Sequence, residues 1–298
     1  MKANESVLQT LREQGVIVRD WSILSTFIWC PRGFKYRHHL GLIRADAEIA
    51  SAIEFGSGCH LAIQNWYASN KDDASSLKIF VNYFRPFEEQ PKIGKRGLPL
   101  ATTYSLIFGC SLLSAYFDKW RADSSKLIEN EITVAEEVSD GHFLCGKIDR
   151  MFERPQGIVY HDTKTTKYYK DYLLNPNPQF MGYKFLCQKL TGQNVQGELD
   201  MLGVSKSDSI DNLIRREPFD YSDHQMNEWR KSFVMWSGLV DKCEQSDNWP
   251  QSWNCKPYFR DCAYLPLCTV PVGTAHDKLL ATMYVEKRWD PFSKQEEV

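Results

Sequence analysis

The clearest periodic pattern in this chain lies between residues 223 and 245. Apolar side chains recur there at intervals of three and four residues, which predicts an amphipathic helix with one face in the core. Ser222 and Gln225 carry the signature of a capping box, so the helix is expected to begin there. Proline near the start and glycine at the end bound another predicted helix, between Asn177 and Gly192.

Shorter patterns complete an alternation of helices and strands. Residues 22–40 predict a short helix broken at Pro31, and residues 46–70 predict a longer helix. A loop is expected over the proline-rich residues 84–100, followed by a helix that ends near Arg121. The predicted strands cover residues 129–137, 142–153, 158–165 and 195–204. Strands flanked by helices predict the α/β or α+β class.

A predicted hairpin brings three charged residues together. If residues 154–157 form a four-residue loop, Asp149 lies directly opposite Asp162, and Lys164 points to the same face of the sheet. Two opposed carboxylates repel each other unless a cation lies between them, and oxygen ligands suit Mg²⁺ or Mn²⁺. A solvated Asp–Lys pair is the alternative, and a slip of one residue would turn Asp149 to the other face.

Composition restricts the classes of protein and of partner. Of the 298 residues, 43% are hydrophobic and 25% are charged, as in ordinary globular proteins. No apolar run is long enough to cross a membrane, and the N-terminus lacks a signal peptide. We therefore expect a cytoplasmic protein, in the host cytoplasm if phage-encoded, with no membrane partner. The net charge of −2 excludes a broad basic surface, so any DNA contact is expected to be local.

The nine cysteines are expected to be reduced thiols rather than disulfides in that compartment. Three of them, Cys255, Cys262 and Cys268, lie within fourteen residues of one another. Five others are scattered among apolar neighbours, which predicts small buried side chains. These are Cys59, Cys110, Cys145, Cys187 and Cys243.

Four short motifs follow one another over about 130 residues. They are Gly56-x3-His60, Asp149 within Gly-Lys-Ile-Asp-Arg, Asp162-Thr163-Lys164, and Gln179-x3-Tyr183. Each motif occurs by chance in many chains. In this order, on a helix, two strands and a helix, they resemble the PD-(D/E)XK nuclease superfamily and, more narrowly, the RecB-type exonucleases. The resemblance covers about residues 22–268. It implies a restriction-endonuclease-like core, in which helices flank a mixed central sheet.

The resemblance also implies a metal-dependent DNA exonuclease and assigns roles to individual residues. His60, Asp149, Asp162 and the Thr163 carbonyl would bind one or two Mg²⁺ or Mn²⁺ ions. Lys164 and the metal would prepare a water for attack on phosphorus. Gln179 and Tyr183 are implied to line the active site and contact DNA. Independently of the resemblance, Lys167 and Lys170 could contact phosphates, and Tyr168 could stack on a base. Glu131 is a candidate supporting acid, but Glu129 and Glu136 are comparable candidates.

The cysteines extend the resemblance. Cys30 stands in Phe-Ile-Trp-Cys-Pro-Arg-Gly-Phe-Lys-Tyr, which is similar to the motif of iron–sulfur members such as the CRISPR-associated RecB-like nucleases and AddB. With Cys255, Cys262 and Cys268, it implies a 4Fe-4S cluster that joins helical N- and C-terminal extensions. The C-terminal spacing is wider than is usual in RecB-like relatives. Zinc and plain reduced thiols are the alternatives, although zinc sites favour paired cysteine knuckles, which this chain lacks.

We therefore expect a single nuclease domain over residues 1–298. Its expected parts are a cluster-ligand helix (22–40), the core (46–204), a C-terminal helix with the three cysteines (220–270) and an unassigned tail (271–298). The expected partners are DNA, preferentially single-stranded, and a helicase or integrase-type protein, in repair, recombination, or CRISPR or phage DNA processing. No G-x4-G-K-[ST] motif occurs, so unwinding would come from a partner. The alternatives are a non-catalytic DNA-binding or assembly module that kept the fold, and a sequence-specific restriction endonuclease.

Overall fold

A six-stranded mixed sheet forms the centre of the fold. The computed structural model describes residues 13, 16, 18–46, 50–88, 104–167, 175–205, 208–256 and 261–288. In chain order the strands are β1 (Val18–Arg19), β2 (Leu42–Arg44), β3 (Lys126–Ser139), β4 (His142–Arg154), β5 (Gly157–Thr166), β6 (Val195–Gly203), β7 (Ile214–Phe219) and β8 (Tyr284–Glu286). All but β2 and β8 belong to the central sheet. The four strands predicted from the sequence are confirmed.

The strand order places β4 and β5 in the middle of this sheet. β5 pairs antiparallel with β4 and parallel with β6, while β7 closes the far edge against β6. β3 pairs along one edge of β4. The other edge of β4 is shared, because β1 pairs with residues 143–144 and β5 with residues 150–154. Residues 145–149 of β4 therefore lie between these two partners.

The β4–β5 hairpin has the predicted register but a shorter loop. Arg154 pairs with Gly157, so the turn has Pro155 and Gln156 as its two central residues, and the predicted four-residue loop is wrong. The extra pair continues the ladder on the same register, so residues 150–153 face residues 158–161 as predicted. Gly157 has a φ of 128°, which glycine adopts without a Cβ clash.

Helices cover both faces of the central sheet. They are α1 (Trp21–Trp29), α2 (Pro31–Phe34), α3 (Ser51–Ala68), α4 (Asp73–Phe84), α5 (Leu106–Trp120), α6 (Pro178–Thr191), α7 (Asp223–Ser246), α8 (Leu265–Thr269) and α9 (Thr274–Met283). One apolar core involves α1, α6 and α7, and a second involves α3, α4 and α5. The fold is therefore of the predicted mixed α/β class. The loop predicted over residues 84–100 lies mostly outside the described residues.

Side-chain caps set the boundaries of the best-predicted helices. The Asn177 side chain accepts backbone N–H bonds at the start of α6, and Gly192 ends that helix with a φ of 68°. Ser222 and Gln225 form both hydrogen bonds of the capping box at the start of α7. The helix predicted from residue 46 begins later, at Ser51.

Residues 42–44 and 284–286, which are far apart in the sequence, form a small second sheet that the sequence pattern did not predict. β2 pairs antiparallel with β8, and a separate apolar cluster of Tyr36, Tyr264, Leu267 and Tyr284 lies beside the pair. The second sheet and this cluster form a small terminal lobe. Residues 271–288 of the unassigned tail contribute α9 and β8 to it. Within the described ranges, every helix is too short or too polar to span a membrane.

Candidate active site

β4 and β5 diverge where two predicted site residues lie. The last pair of their ladder joins Arg150 to His161, so Asp149 and Asp162 come directly after it on the two strands. An Asp149 carboxylate oxygen, Oδ2, accepts the backbone N–H of Thr163 at 2.8 Å. The side chain of Asp149 thus bonds to the neighbouring strand at the point of divergence, and both aspartates lie at one place.

Lys164 forms an ion pair with Asp162 on β5. Its Nζ lies 3.0 Å from Oδ1 and 2.8 Å from Oδ2 of the carboxylate. Burial opposes the charge of the lysine, but Asp162 and other nearby groups keep the pKa of Lys164 above its ordinary value. Burial raises the pKa of Asp162, and the charge of Lys164 counteracts it. The pair therefore presents an ammonium, which donates hydrogen bonds.

α3 brings His60 to the same place. Its Nδ1 lies 3.2 Å from Asp149 Oδ2. Burial favours the neutral imidazole, but the charge of Asp149 outweighs it and raises the pKa of His60. Burial likewise tends to raise the pKa of Asp149, whereas His60 lowers it well below its ordinary range. The two groups thus stabilise each other's charged forms.

Gly56 gives the Gly-x3-His spacing a packing reason. A Cβ at Gly56 would come within 2.9 Å of Thr165 Oγ1 on β5. The missing side chain lets α3 approach the strand closely. Residues four apart lie on the same side of a helix, so His60 then meets Asp149.

Glu131 is the site residue that the sequence did not single out. The ladder pairs on either side of it, 130 with 150 and 132 with 148, place Glu131 opposite Asp149 across β3 and β4. Its φ of 55° interrupts the strand conformation at this point. Its carboxylate forms an ion pair with Lys147. Of the three candidate acids, Glu131 is the one that lies opposite Asp149.

The donor atoms present fit a divalent cation. His60, Glu131 and Asp149 each offer one ligand atom, and these three atoms lie within 4.8 Å of one another. An open cleft of about 470 Å³ is lined by these residues and Lys164. Asp162 Oδ2 is buried and makes no hydrogen bond to the described residues, although the charge of Lys164 lies close to it. Two carboxylates and an imidazole form a donor set suited to Mn²⁺ or Mg²⁺.

Gln179 and Tyr183 border the site from the side of α6. The Gln179 amide donates to the Tyr183 hydroxyl at 3.0 Å. Both line a second cleft of about 180 Å³, and Lys147 lies between this cleft and the first one. A Cβ at Gly146 would lie 3.0 Å from the Tyr183 ring, so this glycine permits the close approach of α6 to β4. Burial, with the charge of Asp162, raises the pKa of Tyr183.

A buried polar network supports the strands from the other side of the site. The Thr163 hydroxyl accepts from the Arg150 guanidinium at 2.5 Å, and Arg150 lies 3.4 Å from the carboxylate of Asp200. Asp200 also accepts from the Tyr116 hydroxyl at 2.7 Å and the Arg216 guanidinium at 2.6 Å. The side chain of Thr163 is thus engaged away from the cleft, and its carbonyl as a metal ligand stays a prediction.

The predicted DNA-contacting residues after β5 are only partly described. Lys167 is exposed, and its Nζ lies 5.3 Å from the ring centre of Tyr104. Tyr168 and Lys170 lie outside the described residues. Their predicted contacts with DNA therefore stay predictions.

The four cysteines of the predicted cluster converge from both ends of the chain. Cys30 lies between α1 and α2, where its thiol accepts the Gly33 N–H at 3.4 Å. The Cys262 N–H donates to the Cys255 carbonyl at 2.8 Å. Burial raises the pKa of Cys262, and the adjacent thiols of Cys30 and Cys255 add to the effect.

The last of these cysteines, Cys268, lies beside the same group. Burial raises its pKa, the Arg32 guanidinium counteracts this, and the thiols of Cys262 and Cys30 add to the rise. All four thiols are free and half-buried. In the described part of the chain, no three of their sulfur atoms lie within 4.8 Å of one another. The group that they would hold stays a prediction.

Comparisons with known proteins identify the fold and the family. The model of the PD-(D/E)XK nuclease superfamily matches residues 21–269. Among solved structures, the chain is similar to a "Putative exonuclease" from Eubacterium rectale, with 12% identity and a TM-score of 0.55 over 92% of this chain and 97% of that chain. A weaker match is SSO0001, with 14% identity and a TM-score of 0.34 over 83% of this chain and 95% of that one. None of the curated proteins matches the chain.

Proposed function

The chain belongs to the PD-(D/E)XK nuclease superfamily, and from this premise we propose that it is a metal-dependent exonuclease that hydrolyses phosphodiester bonds in DNA. The observation that carries the proposal is the convergence of His60, Glu131 and Asp149 with the Asp162–Lys164 pair at one cleft. These are the donors that such a reaction needs. A module that had lost catalysis would have no need to keep two buried aspartates and a half-buried lysine together at one cleft.

Each side chain has a role in the proposed reaction. His60, Glu131 and Asp149 would hold Mg²⁺ or Mn²⁺, with Asp162 Oδ2 and the Thr163 carbonyl as further ligands. When bound, the cation would supply Lewis acidity for the scissile phosphate and for activation of a water. Lys164 donates hydrogen bonds from its ammonium, which orient the water and stabilise negative charge on the phosphate oxygens. Asp162 holds that ammonium in place at 2.8–3.0 Å.

Single-stranded DNA with a free end is the proposed substrate. The net charge of −2 leaves little electrostatic attraction for a DNA duplex, which carries a higher density of negative charge than a single strand. A single strand binds to a short groove by a few phosphate contacts and by stacking on aromatic side chains. Tyr104 beside Lys167 supplies both kinds of group near the cleft.

We further propose that the four cysteines hold a 4Fe-4S cluster. Their convergence supports it, as does Arg32, whose charge would compensate the excess negative charge of four thiolates. The cluster would join α1 and α2 to the C-terminal segment across more than two hundred residues of chain. Its proposed task is structural, because closing so long a loop restricts the unfolded chain.

The experiment compares purified Asp162→Ala and Lys164→Ala with wild type on DNA labelled at one end. Lys126→Ala is the matched control, since Lys126 on β3 forms an exposed ion pair with Glu153 on β4 at 2.9 Å, away from the cleft. We expect both site variants to lose at least 100-fold in rate with Mg²⁺ or Mn²⁺, since each removes a group that acts on the reacting atoms, and the control to cleave normally.

The same assay tests the substrate. Wild type should digest linear single strands much faster than blunt duplex or circular single strands of the same sequence. Equal rates on blunt duplex would refute the single-strand preference, and rapid cutting of circles would refute the need for an end. A folded Asp162→Ala variant with wild-type activity would refute the site itself.

A further inference from the structure

Lys147 occupies a position that the reaction described above does not use. It lies on β4 two residues before Asp149, on the wall between the two clefts. Its ammonium forms an ion pair with Glu131, one of the three metal-ligating residues. The lysine thus holds the carboxylate that a divalent cation would also need.

The three carboxylates of the site each have one cationic partner. Asp149 faces His60, Asp162 faces Lys164, and Glu131 faces Lys147. His60 and Lys164 have side chains that are 28% and 24% exposed, whereas the side chain of Lys147 is 49% exposed. Lys147 is therefore the partner that can leave with least disturbance of packing.

A divalent cation between His60, Glu131 and Asp149 would repel an ammonium in contact with the same carboxylate. The second cleft offers a DNA phosphate a place beside the displaced ammonium. It is lined by the amide of Gln179 and the hydroxyl of Tyr183, which can donate hydrogen bonds to phosphate oxygens, and by the backbone of Gly146. Asp20 at its edge is already engaged as the N-cap of α1, bonded to the Ile23 N–H at 2.7 Å.

We infer that Lys147 is a metal-gated phosphate ligand. It neutralises Glu131 while the site is empty and moves to a phosphate of the DNA strand in the second cleft when the cation binds. The inference rests on the proposed function and adds a coupling between two ligands: cation binding strengthens DNA binding, and DNA binding strengthens cation binding by the same factor. The ligand chemistry is a backbone phosphodiester next to the scissile one.

The first arm of the test measures Mn²⁺ binding to DNA-free protein by electron paramagnetic resonance. Wild type is compared with Lys147→Met. Lys126→Met is the matched control, because it removes an exposed lysine from another ion pair between β3 and β4. Without the competing ammonium, Lys147→Met should bind Mn²⁺ about two- to fivefold more tightly, as expected for an exposed ion pair. Lys126→Met should bind Mn²⁺ as wild type does.

The second arm measures binding of a short single strand by fluorescence anisotropy over a range of salt concentrations. Ca²⁺ is the cation, and a gel checks that the strand stays intact. With Ca²⁺, Lys147→Met should bind DNA more weakly than wild type, and its salt slope should be smaller by about 0.7, the value for one phosphate contact on a single strand. Without cation, the loss of DNA affinity should be smaller, because Lys147 then pairs with Glu131 rather than with a phosphate.

Each outcome bears on a different claim. Unchanged Mn²⁺ affinity in Lys147→Met would overturn the competition for Glu131. An equal loss of DNA affinity with and without cation would overturn the gating, since Lys147 would then contact phosphate permanently. Either result leaves the proposed nuclease standing if wild type binds Mn²⁺ and cleaves DNA. Wild type that binds no Mn²⁺ would refute both proposals.

Discussion

The Gly56→Ala substitution tests whether close packing of α3 on β5 positions His60. The new Cβ would lie 2.9 Å from Thr165 Oγ1, which is 0.5 Å less than the 3.4 Å at which ordinary contact begins. If α3 moves away by that amount, the 3.2 Å distance between His60 Nδ1 and Asp149 Oδ2 grows by up to about 0.5 Å and exceeds hydrogen-bond range. One methyl group would thereby disconnect the helix from the metal site.

The expected changes in stability and in activity differ in size. Overpacking costs about 1–3 kcal/mol, while alanine in place of a helical glycine returns about 0.5–1 kcal/mol. The free energy of unfolding should therefore fall by only about 0–2.5 kcal/mol. Misplacement of a catalytic group has larger consequences for rate, so kcat for DNA cleavage should fall about tenfold or more.

The assay pairs thermal unfolding with cleavage kinetics for a set of variants. Gly238→Ala in α7 is the control, because nothing lies within 4 Å of its new Cβ, and it should be slightly stabilised with normal activity. Thr165→Ala removes the contacted hydroxyl, so Gly56→Ala combined with Thr165→Ala should recover activity relative to Gly56→Ala alone. Full activity in Gly56→Ala would refute the reasoning, since it would mean that Thr165 rotates and α3 stays in place.

Two further predictions concern the first helix and the cysteines. Burial raises the pKa of Asp20 from 3.8 to about 6, so folding favours its protonated form. The contribution of Asp20 to the free energy of unfolding is therefore fully present below pH 3.8 and is lost as the pH rises through 6. Asp20→Asn keeps an N-cap side chain but carries no charge. It should raise the free energy of unfolding by at most about 3 kcal/mol at pH 7.5 and hardly at all at pH 3.5. An equal effect at the two pH values would contradict the raised pKa. Anaerobically purified protein should be brown with about four irons per chain, Cys255→Ser should lose the colour, and the half-buried Cys243→Ser should keep it. Stoichiometric zinc without iron would count against the cluster.

The juxtaposition of Asp149 and Asp162 could be predicted from the sequence because hairpin register propagates from the turn. The loop length was wrong by two residues, yet Arg154 and Gly157 still face each other, and the parity of every later pair was preserved. The caps at Asn177 and Ser222 were equally local signals, and they bound their helices as expected.

Glu131 could not be distinguished from Glu129 and Glu136 in the same way. The Asp140–Gly141 turn, with both φ values positive, starts the β3–β4 ladder by pairing Ser139 with His142. Extended without interruption, that register would put residue 132 opposite Asp149, but an irregularity between Glu137 and Ser139 shifts it by one and brings Glu131 there instead. Such bulges have no reliable signature in a single sequence.

The small terminal lobe also escaped prediction, for a different reason. Its strands β2 and β8 have three residues each, which is too short for a periodic pattern. Tertiary contacts determine these elements, above all the stacked rings of Tyr264 and Tyr284, whose centres lie 5.9 Å apart. Contacts between the two ends of a chain are not visible in local sequence.

The most direct test of the metal-dependent nuclease is the digestion of end-labelled linear single-stranded DNA by wild type and by Asp149→Asn. Each protein is assayed with a chelator, and then after Mg²⁺ or Mn²⁺ has been added in excess. Asn retains the size of the side chain but loses the charge that His60 and a cation would share. We predict cleavage by wild type with added cation only, and none by Asp149→Asn under either condition. Cleavage by wild type in the chelator, or by folded Asp149→Asn at the wild-type rate, would contradict the account.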